Sequence, residues 1–135
     1  MTGFTCGVFD LFHAGHVLML RDCKRQCDYL LVGLKVNPKV DQSEKNLPVQ
    51  TLLERRIQLN GCRHVDEVVV YETEKDLEII LSNMDIQKRF VGDDHKDEEF
   101  TGKKICEDRG IEIIYNHRKH PWSSSSLRER VKKAK

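Results

Sequence analysis

No apolar run in this sequence approaches the ~20 residues that cross a bilayer, and 33% of the residues are charged. A dominant charge of one sign is missing as well: 23 Lys and Arg face 22 Asp and Glu, for a net charge of +1. That balance argues against a protein whose main task is to coat nucleic acid or an anionic membrane, which carries a basic excess. The opening Met1-Thr2-Gly3-Phe4-Thr5-Cys6 lacks the basic stretch and apolar core of a secretory signal. The five cysteines (Cys6, Cys23, Cys27, Cys62 and Cys106) contain no CxxC pair. Cys23 and Cys27, four apart on an expected helix, could share a face, but two thiols do not complete a four-ligand zinc site. The expectation is small buried thiols in a reducing compartment, with neither metal site nor disulfide. No internal repeat or low-complexity tract occurs apart from the serines at 123–126. What remains is one soluble, cytoplasmic domain over residues 1–135, long enough to bury about two-thirds of its unfolded surface.

Short apolar runs, rich in β-branched or aromatic residues and bounded by Gly, Asp or Asn, read as five buried strands at residues 4–8, 29–34, 67–71, 89–91 and 111–115. Helical spacing lies between them. One stripe joins Val17, Leu20, Cys23 and Cys27; a second joins Leu52, Arg56 and Leu59 with Leu53 and Ile57. Leu77, Ile80, Leu81 and Met84 form a third, Ile105 with Phe100 and Arg109 a weaker fourth. A fifth helix over 127–131 is opened by serines able to cap it. Strands alternating with helices at this pitch imply right-handed crossovers: an α/β fold with a Rossmann-like, doubly wound, five-stranded parallel sheet. One connection, residues 36–50, is long for a compact domain and would sit at the carboxyl edge of the strands, where such sheets bind ligands.

The segment carrying most chemistry is Gly7-Val8-Phe9-Asp10-Leu11-Phe12-His13-Ala14-Gly15-His16, which runs from the first strand into the first helix. A strand-to-helix turn presents free backbone N–H groups and the positive end of a helix dipole, an anion site. Gly7 and Gly15 allow close approach to the backbone. His13 and His16, three apart, would aim two imidazoles at one bound group, an arrangement suited to a phosphate gaining charge during displacement. An arbitrary pair of histidines at a helix start more often caps or faces water; the placement on the first turn, behind Gly-x-Phe-Asp, favours the phosphate.

This GxFDxxHxGH stretch resembles the signature of the cytidylyltransferase branch of the HxGH nucleotidyltransferase superfamily, which includes glycerol-3-phosphate, choline-phosphate and ethanolamine-phosphate enzymes. The resemblance extends along the chain: residues 28–33 resemble the family's second strand, Glu54-Arg55-Arg56 and residues 63–68 its helix and third-strand entry, and residues 90–94 the Gly-Asp-Asp after its fourth strand. It implies that His13 and His16 contact the triphosphate and stabilise the transition state. It implies that Lys45 neutralises phosphates, with a further part in acceptor binding, and that Arg63 holds the acceptor's phosphate. Gly7, Val8, Phe9, Asp10, Gly15, Gly92 and Asp94 would form the nucleotide pocket. Lys35 and Lys39 are read as solvated charges.

The family's second signature, Arg-Thr-x-Gly-Ile-Ser-Thr, is matched in part by residues 118–124, where Arg118, Ser123 and Ser124 occupy the Arg, Ser and Thr positions. Hydroxyls at a helix start and a guanidinium clamp suit the β- and γ-phosphates. The Gly-Ile pair is replaced by Pro121-Trp122 and the Thr by Lys119; the proline removes one backbone N–H donor. Trp122 is left open between core and pocket. The resemblance thus implies a CTP-dependent enzyme transferring CMP to a small phosphorylated alcohol, glycerol 3-phosphate or a related polyol or amino-alcohol phosphate. Mg²⁺ would accompany the nucleotide, no protein metal site is expected, and the chain would form a homodimer. An adenylyltransferase of the same fold and a non-catalytic nucleotide-binding module are the alternatives.

Overall fold

The computed structural model describes residues 1–134. Five strands, β1 (Thr2–Gly7), β2 (Tyr29–Lys35), β3 (Glu67–Tyr71), β4 (Lys88–Gly92) and β5 (Glu112–Asn116), form one parallel sheet in the order β3-β2-β1-β4-β5. Five helices, α1 (Ala14–Lys24), α2 (Leu52–Asn60), α3 (Glu74–Asn83), α4 (Lys103–Arg109) and α5 (Ser124–Lys133), alternate with or follow them. The winding runs from β1 out to β3, then α3 carries the chain back to β4 on the other side of β1. Two apolar clusters cover the two faces of the sheet. Leu20 and Cys23 of α1 and Leu59 of α2 pack with Leu30, Val32, Leu34 and Phe90. Leu77 and Leu81 of α3 and Cys106 of α4 pack with Phe4, Leu31 and Ile111. The expected doubly wound α/β sheet is therefore the observed fold, with strand ends moved by one or two residues.

The pairing along the sheet is uneven, and the unevenness positions the site. Six residue pairs join β1 to β2, from Thr2↔Tyr29 to Gly7↔Leu34, and five join β4 to β5. Between β1 and β4 only Gly3↔Lys88 and Phe4↔Arg89 are in register. Toward their carboxyl ends these two strands part, at the point where the winding reverses, which is where open α/β sheets accommodate ligands.

Helix starts are set locally. Thr51 with Glu54 and Thr73 with Asp76 form reciprocal capping boxes for α2 and α3, and Ser123 accepts from the Ser126 N–H at 3.0 Å to open α5. The stripe expected on α2 is corrected. Leu53 and Ile57 are 67% and 61% exposed, Arg56 faces water, and the interior position belongs to Arg55. Lys35 is likewise not a solvated charge: it is buried at the end of β2, paired with Asp41 and with Glu74 (3.0 Å), and so fastens the start of the 36–50 loop to α3. The five cysteines are free, with Cys23 and Cys106 buried. Among the described residues no helix is long and apolar enough to cross a membrane.

Candidate active site

The turn between β1 and α1 is strained and tightly held. Phe9 and Leu11 have φ of 51° and 52°, the left-handed region that costs a non-glycine residue about 1–2 kcal/mol each. Between them Asp10, only 5% exposed, compensates. Its carboxylate accepts the Val49 N–H at 2.8 Å, the Gln50 N–H at 2.9 Å and an Arg128 guanidinium N–H at 2.7 Å. Its carbonyl accepts from the Ser124 hydroxyl at 3.0 Å. Burial pushes the Asp10 carboxyl up, but the two N–H bonds and Arg128 outweigh it and hold the group below its ordinary value.

A second tie comes from α2. The Arg55 guanidinium, 2% exposed, donates to the carbonyls of Val8 (3.1 Å), Lys35 (2.7 Å), Val36 (2.7 Å) and Gln50 (3.2 Å). One side chain thus satisfies carbonyls at the end of β2, in the strained turn and at both ends of the long loop. Unpaired buried carbonyls cost about 1–3 kcal/mol each, which explains why a cation rather than a leucine occupies this interior position.

The two histidines form the helix cap themselves. His13 is the N-cap of α1: its Nδ1 accepts the Gly15 N–H at 3.0 Å, and the His16 Nδ1 accepts the His13 N–H at 3.2 Å. With both Nδ1 atoms acting as acceptors, each neutral ring carries its proton on Nε2. The rings lie against each other with centroids 3.9 Å apart, and Phe12 stacks on His16 at 5.4 Å. Burial lowers the pKa of both; for His16, with His13 adding to the effect, it falls to about 4. At neutral pH the site therefore offers two uncharged Nε2–H donors in place of two imidazolium charges. The Ser124 hydroxyl of α5 lies 3.4 Å from the His13 Nε2, so the helix that follows the second motif meets the first motif at this atom.

These groups line a cavity of about 710 Å³, a size common for small-molecule sites. His13, Gly15, His16, Gly92, Asp94, Arg118, Ser123 and Ser124 are brought together in its wall. The remaining expected site residues fall elsewhere. Phe9 is buried in the core, Gly7 packs under the Phe9 ring, and the Val8 carbonyl is held by Arg55. Asp10 faces the loop and α5, so its place is that of a positioning residue rather than a nucleotide contact. Lys45 is exposed on the 36–50 loop, outside the cavity wall. Arg63, on the connection between α2 and β3, is not among the residues that line the cavity. Trp122, whose place the sequence leaves open, is 42% exposed and lines the cavity.

Several cavity residues carry little signal in the sequence. Asp93 bonds His117 at 2.7 Å. Arg89, buried in β4, reaches the Thr101 carbonyl and lies over the Phe100 ring at 4.8 Å. His120 stacks on Trp122 at 5.6 Å. In Arg118-Lys119-His120-Pro121-Trp122 the guanidinium bonds the Trp122 carbonyl, so this loop braces itself.

Strand-end crevice, helix N-terminus, paired imidazoles and guanidinium thus meet at one cavity, a set of groups chemically able to take an anion. A family model described as cytidylyltransferase-like matches residues 4–130. The chain belongs to the cytidylyltransferase-like family. Within this nucleotidyltransferase family it is 45% identical over 67 residues to a probable ethanolamine-phosphate cytidylyltransferase of Encephalitozoon cuniculi, covering 50% of this chain and 21% of that protein. It is 33% identical over 114 residues to the bifunctional protein HldE of Hyphomonas neptunium, covering 83% of this chain and 23% of that one. The chain thus spans about a quarter or less of the length of these curated relatives. In fold it is similar to a lipopolysaccharide core biosynthesis protein from Thermoplasma volcanium, with a TM-score of 0.68, 19% identity, and coverage of 87% of this chain and 95% of that one. A pantothenate synthetase from Thermus thermophilus aligns at a TM-score of 0.64 with 15% identity, over 98% of this chain and 64% of that one.

Proposed function

We propose that this cytidylyltransferase-like domain transfers CMP from CTP to a small phosphorylated alcohol, such as glycerol 3-phosphate or a related polyol or amino-alcohol phosphate. The observation that carries the reading is the paired-histidine cap, whose two Nε2–H donors share one cavity with the Arg118 guanidinium and the first turn of α5. An oxygen of the acceptor's phosphate attacks the α-phosphorus in line, and the bond from that phosphorus to the α,β-bridging oxygen breaks. Pyrophosphate leaves with the electron pair. A deprotonated acceptor phosphate has no proton to remove, so the reaction needs no general base and no covalent enzyme intermediate. Positioning and charge neutralisation supply the catalysis.

In this scheme His13 and His16 donate to the oxygens on which charge grows, and Ser123, Ser124 and Arg118 hold the leaving phosphates. Lys45, exposed on the 36–50 loop, stays available to phosphates reaching out of the cavity. A Mg²⁺ ion would accompany the nucleotide, carried on its phosphates, and the Asp94 carboxylate in the cavity wall would be able to face it. That ion would neutralise phosphate charge. The identity to an ethanolamine-phosphate enzyme supports cytosine and a phospho-alcohol acceptor. A cytoplasmic homodimer is part of the proposal, and the exposed Leu53 and Ile57 on α2 support a face able to pair.

The test measures pyrophosphate release with each nucleoside triphosphate against a panel of phosphate esters, for wild type and His16→Ala. CTP with a phospho-alcohol should support turnover, and His16→Ala should lose it by two orders of magnitude or more while remaining folded. Turnover with ATP in preference to CTP would reassign the base. A fully active His16→Ala protein would end the proposal, and nucleotide binding without pyrophosphate from any ester would mark a non-catalytic module.

A further inference from the structure

We infer that His120 is a third phosphate-binding imidazole of this site, supplying from a side chain the donor that Pro121 removes from the backbone of the second motif. The inference rests on the reading of the cavity as a triphosphate site. It starts from a deficit in the local chemistry: Pro121 stands where the related signature has Gly, so this loop has one fewer N–H to offer.

The residue immediately before the proline is placed to make up the difference. The His120 Nδ1 accepts the Trp122 N–H at 3.2 Å. A ring whose Nδ1 accepts carries its hydrogen on Nε2 when neutral, so His120 has the same tautomer as His13 and His16. Its Cε1 edge lies against the start of α1: a Cβ built on Gly15 would meet the His120 Cε1 at 2.6 Å, the His13 Cε1 at 2.9 Å and the Trp122 carbonyl oxygen at 2.9 Å. Gly15 thus lets the second motif rest directly on the first. The ring stacks on Trp122, which limits its rotation, and it lines the same cavity as His13, His16 and Arg118. The His120 ring is also close enough to His13 and His16 to contribute to holding both in the uncharged form.

A loop brace and a ligand donor are separable here, because Asn reproduces the Nδ1 acceptor of histidine and Gln reproduces its distal N–H. The experiment compares inorganic pyrophosphate binding by calorimetry, and KM for CTP, in wild type, His120→Ala, His120→Asn and His120→Gln, with thermal melts to establish folding. His120→Ala and His120→Asn should weaken pyrophosphate and raise KM for CTP about tenfold, with kcat changed less, while His120→Gln stays within about threefold of wild type. Wild-type affinity in His120→Asn together with loss in His120→Gln would show a brace only and overturn the inference, as would unchanged binding in all three. Wild-type protein that binds neither pyrophosphate nor CTP would overturn the triphosphate reading itself, and this inference with it.

Discussion

Replacing Asp10 by Asn tests whether the strained turn is held in the way the hydrogen bonds indicate. The substitution keeps the shape and removes the charge. Of the three donors now on the carboxylate, Val49 and Arg128 share Oδ2 and Gln50 uses Oδ1; an amide oxygen at the Oδ2 position keeps two, uncharged and weaker, while the NH₂ group confronts the Gln50 N–H. Hydrogen bonds to a charged acceptor contribute about 1.5–3 kcal/mol each. Arg128 is part-exposed and regains water, so the net loss is set at about 3 kcal/mol. At roughly 4 °C per kcal/mol for a domain between the small and middle size classes, Tm should fall by about 12 °C. Urea and thermal unfolding followed by circular dichroism measure this, with Asp97→Asn, an exposed site, as the control. The acid limb supplies a second reading. Because the folded carboxyl titrates below its ordinary value, the unfolded chain binds more protons. Its stabilisation is therefore present above about pH 4 and lost as pH falls through the folded value. The Asn variant should lack that loss. An Asn protein within about 0.5 kcal/mol of wild type, with an unchanged acid limb, would refute the account of the turn.

Two further outcomes follow from the histidines and their neighbour. His16 titrates near 4 when folded and near 6.5 when unfolded, so the unfolded state takes up protons first and stability should drop by about 2 kcal/mol between pH 7.5 and pH 5. Urea midpoints at the two pH values measure this, and a His16→Gln protein should show a shallower fall. Gly15→Ala favours the helix but drives a methyl into His120, His13 and the Trp122 carbonyl. Because one of these contacts is with backbone, Tm should fall by several degrees, and the folded protein should bind pyrophosphate tenfold or more weakly by calorimetry; unchanged affinity would mean that the two motifs do not need to touch.

The parts of this fold legible in the sequence are those fixed by neighbours. Residues 29–34 are apolar without a break, so a strand buried on both faces follows, and Thr51 with Glu54 marks a helix start whatever surrounds it. The face that α2 buries is not local information. Leu53 and Ile57 satisfy helical periodicity, yet the sheet end below α2 presents four carbonyls needing donors, and Arg55 meets that need. Lys35 looks solvated because Asp41 and Glu74 are brought to it only by the fold. His120 was visible two residues beyond Arg118, but nothing in its neighbours shows that Gly15 leaves room for it.

The reciprocal cap of α1 has a consequence for how the site comes into being. Most helix starts are closed by Ser, Thr, Asp or Asn, residues with no further task. Here the bonds that close the first turn are also the bonds that choose which nitrogen of each imidazole bears hydrogen. Winding that turn and arming the two donors are one event, so no later rearrangement of these rings is needed when a ligand arrives, and such preorganisation is what makes fixed dipoles effective toward a transition state. Any change that frays the start of α1 would therefore scramble the proton positions of the pair before it unfolds anything else.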